Sequence, residues 1–402
     1  MRTALRAAGL AALLLALPAG CGDAPAAPAA PATKPPAAAS DAAGRAATRA
    51  TMGKIVDSLA FVLPLWLDDA SFADPAQHQA ILASLDALAA NGAKLTSHGE
   101  GRDAGFAFLS RSLARDTQEI RDRYAAGRTA EARFLLLEVT DNCAACHSRL
   151  PDAREHPVGR RLVDDPRVAA LDLDERVNLE VATRQFDRAL TSYEALFADP
   201  ARPAADLDLQ GHVDGYLEVV LRVEDDPERA LRAITLLSKR DDLPPSLREN
   251  AGAWTRSLRE LAKRERKGTP LEQARALIEQ AQDSERYPDD RAALVDYVAA
   301  SAILHRFISS QRTLGPQVAE ACWWLGLIES RIGRSFWLSQ TEFFLEQSIR
   351  LAPQKPFARD AYDLLEEFEA SGYSGSQGSE VPKEVRERLA ELKRLIDHAQ
   401  GS

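Results

Sequence analysis

From about residue 47 to the C-terminus the apolar residues recur at intervals of three, four and seven, and no stretch alternates apolar and polar side chains as a strand does. Ala, Leu, Arg and Glu dominate, and these are strong helix formers. The pattern predicts an all-α chain. A first helix carries Met52, Ile55, Val56, Leu59, Val62, Leu63 and Trp66 on one face. A loop with Asp68, Asp69 and Asp74-Pro75 follows. A second helix runs from about Ala76 to Leu95 and buries Ile81, Leu85 and Leu88. After a Gly-rich break at His98 to Gly101, a third spans about Ala104 to Ala126, with Phe106, Leu109, Leu113 and Ile120, and stops at Gly127. A fourth starts near Ala130, carries Phe134, Leu137 and Val139, and ends at Pro151. Four amphipathic helices with short connections predict a four-helix bundle.

The fourth helix contains Cys143-Ala144-Ala145-Cys146-His147. The spacing C-x-x-C-H is the attachment signature of a c-type haem. Two thiols can form thioethers to the haem vinyl groups, and the histidine can ligate the iron. On a helix, positions i, i+3 and i+4 share one face, so all three side chains can reach one macrocycle. Two other readings compete. A thioredoxin-like redox pair wants a strand-to-helix context, and none is visible. A structural zinc site needs four ligands, and Cys322, in an apolar helical stretch, is the one further cysteine of the folded region. Cys322 reads as a small buried apolar residue.

The N-terminus predicts export. Arg2 and Arg6 form a short basic region, and Leu10 to Leu17 is an apolar core too short to span a bilayer permanently. Leu17-Pro18-Ala19-Gly20-Cys21 resembles a bacterial lipoprotein signal, which implies that residues 1–21 are the signal and that Cys21 carries the lipid. The alternative is an ordinary secretory signal. Both place the chain outside the cytoplasm, where haem c is attached in the bacterial systems it resembles. Residues 22–46 are rich in Ala and Pro and read as an extended tether between a membrane and the folded part.

A motif near the C-terminal end of a four-helix domain, rather than near its start, is similar to the class II cytochromes c, the cytochrome c-prime group. The resemblance rests on Arg49-Ala50-Thr51-Met52, on Leu85 to Leu95 and on Asp141-Asn142-Cys143-Ala144-Ala145-Cys146-His147, within a domain of residues 47–155. It implies one covalent haem c held between the helices, with His147 as proximal ligand and a first-helix side chain over the distal face. Low-spin members place a methionine there, which makes Met52 the expected sixth ligand of the iron. High-spin members leave the position open. His78 and His98 are rival ligands. Ser148-Arg149-Leu150-Pro151 departs from the family pattern after the motif.

Residues 164–370 change character. Gln185-Phe186-Asp187-Arg188-Ala189-Leu190 and Asp226-Pro227-Glu228-Arg229-Ala230-Leu231 repeat a turn-then-helix arrangement, and Trp324-Leu325-Gly326 with Leu345-Glu346-Gln347-Ser348-Ile349 look like two helices of a later unit. This resembles a tetratricopeptide-like array of helical hairpins, though with an irregular period. Such arrays present a face to protein partners. Trp254, Trp323, Trp324 and Trp337 read as core. Ser371 to Ser379 separates a charged last helix over about 380–400.

The net charge is −10, spread along the chain, and no basic stripe suits nucleic acid. No P-loop, dinucleotide fingerprint or serine-nucleophile elbow is present, and no activity beyond electron transfer is expected. Two classes of function follow. One is a tethered monohaem cytochrome that carries electrons to a redox partner protein. The other is a five-coordinate haem module that binds nitric oxide or carbon monoxide. A scaffold lipoprotein with a structural haem is a weaker third.

Overall fold

α1 (Ala37–Trp66) begins well ahead of residue 47, directly after Pro36. Beyond that proline an Ala-rich run, interrupted by Gly44 alone, meets no further proline before Pro64, and alanine has the highest helix propensity of all. The computed structural model describes residues 37–97, 104–149, 157–209, 211–286, 290–311, 313–333, 340–375 and 378–401. The signal at 1–21 with Cys21, most of the Ala/Pro tether, His98 and Trp337 lie outside the described residues. The chain is all-α.

Asp68 opens a short α2 (Asp69–Ala73) by accepting from the backbone amides of Ala70 and Ser71 at 3.3 and 3.0 Å, the usual role of an N-cap aspartate. α3 (His78–Ser97), α4 (Ala104–Ala125) and α5 (Thr129–His147) follow close to the expected spans. Gly127 adopts φ +76°, a left-handed turn between α4 and α5 that glycine makes without steric cost. One core unites Ile55, Leu59, Val62 and Leu63 of α1, Ile81, Leu85 and Leu88 of α3, Leu113 and Ile120 of α4, and Leu136, Val139 and Cys143 of α5. Phe134, expected on the inner face of α5, is instead exposed, because Ala132, Leu136 and Val139 supply the inward stripe.

The same core extends beyond residue 155. After α6 (Pro157–Val163) and α7 (Pro166–Ala169) comes α8 (Leu173–Ala182). Leu162, Val168, Leu179 and Ala182 from these helices pack with Cys143 and α1. Arg184, at φ +63°, turns the chain sharply into α9 (Phe186–Ala198).

Helices then follow in close succession. α10 (Ala204–Leu209) and α11 (His212–Leu217) lead into a π-helical turn over Glu218–Val223. α12 (Pro227–Leu237) is capped by Asp226, which accepts from the Arg229 amide at 2.8 Å. α13 (Pro245–Lys263) and α14 (Pro270–Ser284) come next, the latter with a reciprocal Thr269–Glu272 capping box. α15 (Leu294–Ser310), α16 (Pro316–Ile332), α17 (Gln340–Leu351) and α18 (Pro356–Gly372) complete the series. Many neighbouring helices pack on one another, among them α8 on α9, α12 on α13, α14 on α15 and α16 on α17, and a second, larger core runs from Val177 to Phe344. The segment Arg291–Ser310 is long and apolar enough to cross a bilayer by composition, but it is largely buried as a core helix. Trp254 is fully buried, and its Nε1 donates to the Arg291 carbonyl at 2.6 Å. Trp323 and Trp324 are half-buried against the cores.

A two-residue hairpin, Ser374–Gly375 with Gly378–Ser379, precedes α19 (Lys383–Gln400). Leu389, Leu392 and Ile396 of α19 bury against Leu345, Ile349, Tyr362 and Leu365 of α17 and α18. Arg388 reaches Glu369 and Glu342, the latter at 2.8 Å, and Arg350 reaches Glu391 at 2.8 Å. Gly44–Ser402 is one compact unit.

Candidate haem-attachment site

Cys143, Cys146 and His147 occupy the last two turns of α5 and, by their spacing, one arc of it. Cys143 is 8% exposed and belongs to the core shared with α1, α6 and α8. Cys146 and His147 are half-buried. Burial, reinforced by Cys146 and Asp141, pushes the Cys143 thiol up to about 12. A redox-active C-x-x-C pair needs its thiol shifted down, toward the thiolate. Cys143 is shifted the other way, and a neutral sulfur suits its apolar surroundings. Cys143, Cys146 and Cys322 are all thiols, and Cys322 is buried in the second core.

Nδ1 of His147 lies 2.8 Å from the backbone carbonyl oxygen of Ala182, at the end of α8. A carbonyl can only accept, so Nδ1 carries the proton. In a neutral imidazole this leaves Nε2 as the lone-pair nitrogen. A backbone carbonyl on the other ring nitrogen is the common way proteins orient a metal-ligating histidine.

Met52 is half-buried against the same core. Its height along the bundle follows from two contacts. At one end, Trp66 Nε1 donates to the Arg133 carbonyl at 2.7 Å, and Arg133 Nε donates back to the Trp66 carbonyl at 2.8 Å. At the other, Asp57 pairs with Arg161 of α6 at 2.7 Å, and α6 abuts the end of α8, where Gly159 meets the Thr183 carbonyl. α1 and α5 therefore run in opposite directions. Met52 precedes Trp66 by the same fourteen residues that separate Arg133 from His147, about 21 Å at 1.5 Å per residue. Met52 and His147 thus lie at the same end of the bundle.

His78 lies at the opposite end. It stacks on Tyr124, with ring centroids 5.1 Å apart, where α4 finishes and α5 begins. The length of α5, roughly 28 Å, separates it from His147. Arg149 is buried and packs over the Phe344 ring at 5.6 Å, on the side of the later helices.

The opposite arc of α5 borders a cavity of about 340 Å³, touched by Asp141, Ala144, Ala145 and Ser148. Its far wall holds Arg222 and Glu329, both buried and joined by an ion pair of 3.0 Å. Sequence reasoning missed this pair. Its members are 107 residues apart on helices with apolar patterns, and only a charge within such a stripe hints at it.

Among the described residues, no three His, Cys, Asp or Glu side chains converge as a metal-binding group. No protein-family model, curated protein or solved structure matches this chain.

Proposed function

We propose that this chain is an exported, membrane-tethered monohaem cytochrome c that carries single electrons and docks to a redox partner through its later helices. Its N-terminal helices are read as a haem bundle of the class II cytochrome c type. Cys143 and Cys146 would hold haem c through thioethers, with His147 and Met52 as the axial ligands. Cys21 would carry the lipid anchor.

The observation that carries this reading is the 2.8 Å contact from His147 Nδ1 to the Ala182 carbonyl. It fixes the tautomer and the ring plane of the one histidine in the motif, as a metal ligand requires. The donor set fits the group in two further ways. A thioether sulfur bears no charge, so the buried, apolar setting of Cys143 suits it. Met52 on α1 lies level with His147 at the end of the antiparallel α5, which supports six-coordinate iron over an open gas-binding site. A haem held there supplies the one-electron Fe(III)/Fe(II) change. The protein keeps water from the site through the core around Cys143 and orients His147 through α8.

The test is a visible spectrum of the protein from a host that matures haem c, oxidised and reduced. Covalent haem with sharp reduced α and β bands, lost in Cys143→Ala/Cys146→Ala, supports the reading. A broad high-spin spectrum that sharpens only with nitric oxide or carbon monoxide overturns the electron carrier in favour of the gas-binding module. A colourless protein overturns both.

A further inference from the structure

A separate cavity of about 260 Å³ lies among the end of α13, the first half of α14, the second half of α15 and the π-helical turn. Its floor is apolar. Leu221, Leu277, Ala299 and Ala302 are buried there, and Leu261 and Ile303 are half-buried. The exposed linker from Arg264 to Lys267, between α13 and α14, forms its rim.

Most of the charges around the opening are matched. Arg266 pairs with Asp225 at 2.6 Å, and Lys267 pairs with Glu265 at 2.5 Å. Glu272 closes the cap of α14, accepting from the Thr269 amide at 2.7 Å and from its hydroxyl at 3.0 Å. Two guanidinium groups remain. That of Arg306 lies 3.9 Å from Asp225, too far for a hydrogen bond, and Arg266 already holds that carboxylate. That of Arg264 makes no hydrogen bond or ion pair with any described residue, and only its field reaches Asp296.

Arg306 supplies a second observation. Its side chain, 28% exposed, lines the cavity beside the apolar floor. Burial pulls its guanidinium below the ordinary value, Asp225 opposes the fall, and Arg266 deepens it. A cation withdrawn from water without a hydrogen-bonded acceptor is unfavourable. An anion in the cavity would provide that acceptor, and a planar guanidinium fork matches a carboxylate.

We propose that this cavity binds a short aliphatic carboxylate, with its head on Arg306 and Arg264 and its chain on the apolar floor. The volume lies just below the usual small-molecule range and suits an acid of about six carbons. A bare inorganic anion would leave Leu221, Leu277 and Ile303 uncovered. An alkylamine would meet the two unmatched positive charges. No residue of the Cys143–His147 motif lines this cavity, so the proposal is independent of haem.

Titration calorimetry on the full chain, purified from a haem-maturing host, tests it. The probes are hexanoate, hexylamine and acetate. Saturable one-site binding of hexanoate is expected, with an unchanged visible spectrum, and no binding of hexylamine. Acetate lacks the chain and should bind at least about tenfold more weakly. Arg306→Gln should weaken hexanoate about tenfold by loss of a charge-assisted contact. Ala276→Leu, which fills the cavity from α14, should weaken it comparably, and Arg394→Gln on α19 should leave it unchanged. Circular dichroism identifies any variant that misfolds. Arg264→Gln, at an exposed position, then decides through its own weakened binding. A flat hexanoate titration of the wild type overturns the site, as does hexylamine or acetate binding as tightly as hexanoate. So does undiminished binding in the folded cavity variants, or a spectral shift that puts the carboxylate on iron.

Discussion

The imidazole Nδ1 of His147 and the carbonyl oxygen of Ala182, 35 residues apart, are joined at 2.8 Å. One ring thereby closes the last turn of α8 and holds its proton on Nδ1. In His147→Ala, the proposed haem should stay attached through sulfur while its reduced spectrum broadens, and added imidazole should restore the sharp bands. The haem-free variant should also lose about 1 kcal/mol of stability in urea through the missing hydrogen bond. Sharp bands without imidazole would remove His147 from the iron.

Met52→Ala tests the other axial position. A thioether favours reduced iron and raises the potential. The midpoint should therefore fall on the order of 0.1 V or more, within the roughly 0.8 V that axial ligands span. An unchanged potential in a redox titration would mean that Met52 only fills space.

Arg222 and Glu329 form a buried pair, so removing one partner strands the other. Arg222→Met should cost about 3–5 kcal/mol in urea unfolding. Arg222→Met/Glu329→Leu should recover most of that loss, because two apolar groups leave no buried charge. A double variant as unstable as the single one would show that Arg222 acts through Ser301 instead.

Burial pushes the Asp296 carboxyl up to about 6, and nearby Glu260 adds to the rise. The folded protein thus binds this proton more tightly than the unfolded chain does. Its stabilising contribution is complete below about 3.8, the unfolded value, and is lost as pH rises through 6. Asp296→Asn should therefore stabilise the fold at pH 7.5 by on the order of 1–3 kcal/mol and by much less near pH 4. Equal gains at the two pH values in paired urea melts would contradict this.

Gly326 of α16 sits against α17, and a Cβ there would come within 2.5 Å of Leu345 Cδ2 and 2.7 Å of its Cγ. Gly326→Ala should destabilise by about 1–3 kcal/mol through overpacking, and Leu345→Ala in the same chain should relieve part of the strain. Independent, additive costs in thermal melts would place the two residues out of contact.

The sequence conveyed what repeats locally. α3, α4 and α5 were legible because each carries an apolar stripe between clear breakers such as Asp74-Pro75 and Gly127. The start of α1 was hidden because Ala37 to Ala50 has no stripe, only propensity. α2 is five residues long, shorter than a helical period can reveal. The three motif side chains were legible because one helix holds them. The support from Ala182 was not, since a backbone carbonyl leaves no trace in side-chain identity. The cavity behind α5 was hidden for a related reason: its charged residues come from α5, α11, the π-helical turn and α16, segments far apart in the chain.

A series of helices that each cover the last has a beginning and an unfinished edge. Here α19 lays Leu389, Leu392 and Ile396 across α17 and α18 and turns its charged side outward. α19 thus covers an apolar face of α17 and α18 that, left bare, would invite a second copy of the chain to stack on it.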